Sequence, residues 1–202
     1  MSLSLNERPI VDLISLLDSS STQPRLIYIS SDYVFAGRKG HYRDCDDTAP
    51  DTVYGLSKQR AEHLIATALP GSTALRTSAV MSSQGGFLAW LMGELRSGNP
   101  VTLFDNAAFS PTPPLCLSRA VVALLRDDSL TGPLNFAGPR TTRFDFGKRV
   151  CEMFGFSASL IRPAQVDFAE SLLKPDLSLL TSDRLSAYAP DTLDAFAPET
   201  CS

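Results

Sequence analysis

One short run constrains this chain more than any other: Arg25 to Ser30 reads RLIYIS, apolar and rich in Ile and Tyr, without the polar alternation of a strand that has one face in water. Such a run belongs in a parallel sheet covered on both faces. A parallel neighbour requires a crossover, normally a helix. The downstream pattern supplies one. Residues 31–52 form a long polar loop rich in Gly, Asp, Arg and Thr, Pro50 closes it, and a helix is expected over Val53–Ala68, followed by a strand at Thr73–Thr77 (TALRT).

The same alternation continues on either side. Upstream, PIVDLISLL from Pro9 to Leu17 sets Ile10, Leu13, Ile14 and Leu17 on one helical stripe. Downstream, the pattern predicts a helix over Phe87–Arg96, an apolar run at Pro100–Phe104, a loop marked by Pro111, Pro113 and Pro114, a helix over Ser118–Arg126, a strand at Pro133–Ala137 and a helix over Phe144–Phe154. Strand and helix in turn indicate an α/β fold. Beyond Ser157 the pattern is mixed, with Leu160 and Ile161 as a short apolar piece, Pro163 and Pro175 as breakers, and a weakly helical SDRLSAY. The chain has no internal repeat.

Composition narrows the function classes. With 22 acidic against 18 basic side chains in 202 residues, the net charge of -4 gives no basic surface for nucleic acid. No apolar run approaches the roughly 20 residues of a membrane-spanning helix, and no secretory leader pattern is present, so the expected location is the cytoplasm. Cys45, Cys116, Cys151 and Cys201 are scattered without a CxxC pair, and only His41 and His63 accompany them, so free thiols and no metal site are expected. Asp44, Asp46 and Asp47 lack the spacing of a calcium loop and read as a solvated loop.

The chemistry-bearing pattern is YGLSK. Tyr54 and Lys58, four residues apart at the start of a helix, project from one face about one turn apart. A phenol normally titrates near 10, and an ammonium beside it favours the phenolate, which makes the pair suitable for giving a proton to a carbonyl oxygen or removing one from an alcohol. A hydroxyl at the end of the preceding strand, Ser30 or Ser31, completes such a group at the strand ends where parallel sheets bind ligands. YxxxK by itself is a common surface pair.

The surrounding residues add specificity. LIYISSDYVFAG, HYRDCDDTAPDTVYGLSKQRAE and ALRTSAV, then SPT at Ser110–Thr112, LNFAGPRTTRFDFGKRVCEMFG and KPDLSLLTSDRL occur in order over about residues 6–186. This arrangement resembles extended short-chain dehydrogenase/reductases of the dTDP-4-dehydrorhamnose reductase type, and equally the regulatory β subunit of methionine adenosyltransferase. The resemblance implies a truncated Rossmann-like parallel sheet with a small C-terminal substrate-binding subdomain. Residues 1–80 would form the C-terminal part of the Rossmann-like domain, to which later strands return, and 81–202 the substrate-binding region and tail.

Residue by residue, the resemblance makes Tyr54 the catalytic tyrosine, Lys58 the lysine that also holds the nicotinamide ribose, and Ser31 the hydroxyl that orients the substrate carbonyl. Thr77 and Ser78 fall where relatives contact the nicotinamide end of NADP or NAD, and Asn6 matches an asparagine of the preceding helix. Tyr33 and Phe35 are expected to line the substrate pocket, with Tyr28 in the core. Trp90 is expected to pack in the core or at a dimer contact, Arg76 to pair with a carboxylate, and His63 to lie off the Tyr54/Lys58 line. The loop from Phe104 to Thr112 is expected near the ligand. Two departures stand out: Ala36 replaces a frequent Asp, and a carboxylate that starts the helix near Cys116 is missing, which removes a cap.

The family's first strand and Gly-rich phosphate turn normally precede Asn6, and these 202 residues contain neither GxGxxG nor GxxGxxG. The expectation is weak dinucleotide binding by this chain alone and an open edge on the strand at Leu26–Ile29, paired with a second copy or a partner subunit. Three functions follow in order: an NAD(P)-dependent reductase of a carbonyl or nucleotide-sugar-like small molecule; a non-catalytic regulatory subunit of S-adenosylmethionine biosynthesis; a redox-neutral isomerase or dehydratase using Tyr54 and Lys58.

Overall fold

The computed structural model describes residues 6–18 and 24–197. Its helices and strands are α1 (Arg8–Asp18), β1 (Ile27–Ser31), α2 (Val53–Ala68), β2 (Thr73–Thr77), α3 (Gly86–Arg96), β3 (Val101–Phe104), β4 (Ala108–Phe109), α4 (Pro114–Arg126), β5 (Gly132–Phe136), β6 (Thr141–Thr142), α5 (Arg143–Phe154) and β7 (Ile161–Ala164). Cys201 lies outside the described residues; Cys45, Cys116 and Cys151 carry free thiols.

The central sheet is parallel, ordered β1-β2-β5, with Ile27 opposite Thr73 and Thr73 opposite Gly132. Every residue of β2 is buried, as its middle position demands. Alternate side chains leave on opposite faces. On one face Ile10 and Ile14 of α1 and Ala61, Leu64 and Ile65 of α2 pack with Leu26 and Tyr28; on the other Ala120 and Leu124 of α4 pack with Leu75, Leu134 and Phe136. Helices on both faces of a parallel sheet give the Rossmann-like architecture that the uninterrupted apolar strand required. Among the described residues β1 pairs with β2 alone, leaving its other edge without a partner strand.

A second cluster is built by α3, α5, β3 and β7. Leu88, Leu91, Met92 and Leu95 pack against Val101, Leu103, Phe146, Val150 and Ile161. β3 and β7 pair in parallel, β4 and β6 antiparallel. This packing is separate from that on the two faces of the central sheet.

Two local findings differ from the pattern-based expectation. α4 begins at Pro114, four residues before Ser118, and no side chain caps it. A proline at the first helical position presets φ and needs no donor, so it stands in for the missing carboxylate cap. The stretch after β1 is not an open loop at its start: Asp32–Val34 form a 3-10 turn, and Val34 and Phe35 are buried with Tyr42, Ala137 and Leu179.

Candidate active site

β1 and β2 end side by side at Ser31 and Thr77, paired in register. A cleft of about 390 Å³ opens above these ends, lined by Ser31, Tyr33, Tyr54, Lys58, Thr77 and Ser78. Phe109, Arg143, Lys174 and Leu177 line the same cleft.

Ser31 terminates β1 and caps the 3-10 turn. Its Oγ accepts from the Tyr33 amide at 3.3 Å and donates to Asp32 Oδ1 at 2.9 Å. Asp32 is buried, and burial pushes its carboxyl up to about 6 against the opposing hydrogen bonds from Ser78 and Ser31. The residue adjoining the expected hydroxyl is thus an acid held near its ionisation point. The sequence signal was its place in SSDYVF at a strand end; its burial was invisible.

α2 places the tyrosine and lysine. Thr52 caps it by accepting from the Gly55 amide at 3.0 Å. Gly55 sits directly on the preceding turn, since a Cβ built there would stand 2.0 Å from the Tyr33 carbonyl oxygen. This close approach sets Tyr54 against Tyr33, with ring centroids 5.9 Å apart in an edge-to-face pair. Asn6 Nδ2 donates to Ser57 Oγ at 3.0 Å, tying the start of the described chain to the same helix.

Lys58 follows one turn later. Its Nζ donates to the Ile29 carbonyl at 3.0 Å and stands 4.7 Å from the Tyr28 ring centroid and 5.9 Å from that of Tyr54. Burial lowers the amine below the usual lysine range, while Glu62 opposes the shift. Tyr28 is pushed up to about 12, first by burial and then by Tyr54 and Glu62. Thr77 Oγ1 donates to Thr112 Oγ1 at 3.2 Å, and Ser78 Oγ accepts from the Ser110 amide at 3.4 Å, so both hydroxyls are fixed.

Phe35 corrects the expectation that it lines the pocket. It is 1% exposed, stacked on Tyr42 at 4.3 Å and under the Arg76 guanidinium at 5.1 Å, away from the cleft. The chain turns at Asp32–Val34, which sends Tyr33 and Phe35 to different surroundings. Of the two places expected for Trp90, the structure excludes the core, since the ring is half exposed beside Phe87. Arg76 does pair with a carboxylate, Glu62, at 2.8 Å. His63 is exposed. The acidic loop spends its charges locally: Asp46 pairs with Lys39 at 2.9 Å and Asp44 accepts from the Asn135 amide at 2.7 Å. Arg143 and Lys174 entered the site without a sequence signal, because both come from segments distant in the chain.

With this geometry in view, residues 18–199 match the RmlD substrate binding domain. The chain belongs to that family. Relatives include a probable low-salt glycan biosynthesis reductase from Haloferax volcanii, 32% identical over 163 residues that cover 76% of this chain and 54% of that protein. A dTDP-4-dehydrorhamnose reductase from Mycobacterium tuberculosis is 32% identical over 169 residues, covering 78% of this chain and 55% of that enzyme. This member of the family therefore spans about half the length of the curated relatives it matches. Among solved structures, a hypothetical dTDP-4-dehydrorhamnose reductase from Sulfolobus tokodaii superposes with a TM-score of 0.79 at 27% identity, over 96% of this chain and 70% of that one. The fold is shared with a Bacillus anthracis dTDP-4-dehydrorhamnose reductase in complex with NADP, at a TM-score of 0.81 and 19% identity over 95% of this chain and 70% of that one.

The buried acid makes a stability prediction for this family member. An acid whose folded pKa is about 6 against an ordinary 3.8 holds its proton more tightly when folded. Its favourable contribution is complete below about pH 4 and is lost as pH rises through about 6, a swing on the order of 2–3 kcal/mol. Asp32→Asn, which cannot ionise, is expected to melt several degrees above the parent at pH 7.5, with the advantage gone at pH 4. Thermal melts of both proteins at the two pH values check this; an equal gain at both would remove ionisation as the cause.

Proposed function

We propose that this chain is an NADP-dependent reductase of a nucleotide-sugar carbonyl, in line with its dTDP-4-dehydrorhamnose reductase relatives and the structural neighbour in complex with NADP. The observation that carries the reading is that Ser31, Tyr54 and Lys58 line one cleft at the carboxyl ends of β1 and β2. When bound, a reduced nicotinamide supplies the hydride for the carbonyl carbon.

The residues at this end of the cleft fit that half of the cofactor. Lys58 presents a partly buried ammonium beside Tyr54, and Thr77 and Ser78 present fixed hydroxyls. The phosphate-binding Gly-rich turn is not among these 202 residues. Tyr54 donates its phenolic proton to the substrate oxygen, the Lys58 ammonium stabilises the phenolate left behind, and Ser31, turning its hydroxyl from Asp32 Oδ1, holds the carbonyl by a hydrogen bond. Closing the cleft to water strengthens each of these interactions.

The experiment is a turnover assay with dTDP-4-dehydrorhamnose and NADPH, followed by nicotinamide absorbance, beside a fluorescence titration of the cofactor. Oxidation of NADPH that requires the sugar is expected. Neither binding nor turnover at millimolar NADPH would overturn the reading for this chain, and conversion of the sugar without any nicotinamide would replace reduction by a redox-neutral step.

A further inference from the structure

The cleft that holds Tyr54 also holds a cation with no ion-pair partner among the described residues. Arg143, the first residue of α5, lines the cleft together with Tyr33, Tyr54 and Lys58. Its guanidinium lies 4.6 Å from the Phe87 ring centroid and 5.2 Å from that of Phe109. Among the described residues it makes no ion pair and no hydrogen bond.

The neighbouring charges are already committed. Lys58 donates to the Ile29 carbonyl, and Lys174 pairs with Asp51 at 2.6 Å. The carboxylate of this lining, Asp32, takes the Ser31 hydroxyl and is buried behind it. A guanidinium cannot give up its charge at any working pH, so this half-buried group keeps its charge between the two rings with its donors free of protein partners among the described residues and open to the cleft. The rings meanwhile hold the planar group in place. Five fixed donors in a fork match the paired oxygens of a phosphoryl or carboxylate group, and prior ordering lowers the entropy lost on binding.

We infer that Arg143 is the specificity-determining contact for an oxyanion of the substrate, a phosphoryl or carboxylate group held while the carbonyl sits at Tyr54. This inference rests on the reductase reading, for which a nucleotide sugar supplies phosphoryl oxygens and an acidic sugar supplies a carboxylate. Lys174 does not duplicate the role, being tied to Asp51.

The test is calorimetric titration of the 202-residue chain with three probes: dTDP, thymidine and glucuronate. The variants are Arg143→Gln and Arg143→Lys. A charge-assisted, two-point contact predicts that dTDP binds Arg143→Gln about tenfold to hundredfold more weakly than the parent, with thymidine unaffected. Arg143→Lys keeps the charge and loses the fork, so it recovers part of the loss; it also serves if the glutamine variant does not fold. In turnover the same loss appears in KM, with kcat within about threefold. A fall for glucuronate and none for dTDP supports the anion contact and assigns it to a carboxylate.

Equal affinities of parent and variant for both anions overturn the inference. If the parent binds neither anion at 10 mM yet oxidises NADPH with the sugar, the anion contact alone falls. If it does neither, the reductase reading falls with it.

Discussion

Tyr54→Phe is expected to lower turnover by about 10²–10⁴-fold while leaving the fold intact, the range typical of removing a positioned general acid. The substitution deletes one oxygen. The ring remains to pack edge-on against Tyr33, and Thr52 and Gly55 still fix the helix start. Tyr54 is 43% exposed, so the lost hydroxyl leaves no buried hole. Lys58 keeps its bond to the Ile29 carbonyl and cannot take over, because no proton path then leads from its amine to the substrate oxygen through the phenol. The measurement is kcat/KM of parent and variant beside matched melting curves. A loss under tenfold with an unchanged melt would take Tyr54 out of the proton transfer.

Glu62→Ala is expected to cost about 3–5 kcal/mol of stability, the usual result of stripping one partner from a buried ion pair. Glu62 on α2 accepts from Arg76 Nε at 3.1 and 3.2 Å and from Nη2 at 2.8 Å, and also receives the Ser30 hydroxyl. Both side chains are at most 10% exposed. Alanine leaves the Arg76 charge in the interior, where only the Asp44 carbonyl and the Phe35 ring remain to face it. For a chain of this size the deficit is roughly 10 °C or more in Tm. Glu62→Gln, which keeps an acceptor, should lose less. Equilibrium unfolding of the three proteins decides the matter; a change below about 1 kcal/mol for the alanine variant would show that water reaches the guanidinium.

How much was legible beforehand follows from what kind of information each element carries. RLIYIS announced a parallel strand, but its cover is partial, with Ile27 and Tyr28 half-buried and Ile29 exposed at the sheet edge, whereas TALRT, expected only as a strand, is the fully buried middle one. Tyr54 and Lys58 were readable because helical spacing is local. Thr77 and Ser78 came from the family resemblance, and the structure places both on the lining of the cleft. Phe35 misled because a single 3-10 turn breaks the two-residue period that a loop residue is assumed to keep. Asp32 looked like an ordinary loop acid, since nothing in a linear pattern shows that Ser78, 46 positions on, closes over it. Arg143 was equally opaque: its surroundings are Phe87 and Phe109, brought together only when α3, β4 and α5 assemble. Local periodicity fixes elements, and long-range assembly fixes environments.

The two sides of the cleft have separate foundations. Ser31, Tyr54 and Lys58 are anchored to the three-stranded sheet and its first crossover, whereas Phe109 and Arg143 ride on β4 and α5, whose own packing lies in the cluster built around α3, β3 and β7. On the reductase reading, a change at Phe109 or Arg143 would alter which molecule fits while Tyr54 and Lys58 keep their anchoring. Such an arrangement would let substitutions retune recognition in small steps, each leaving the proton-handling groups in place.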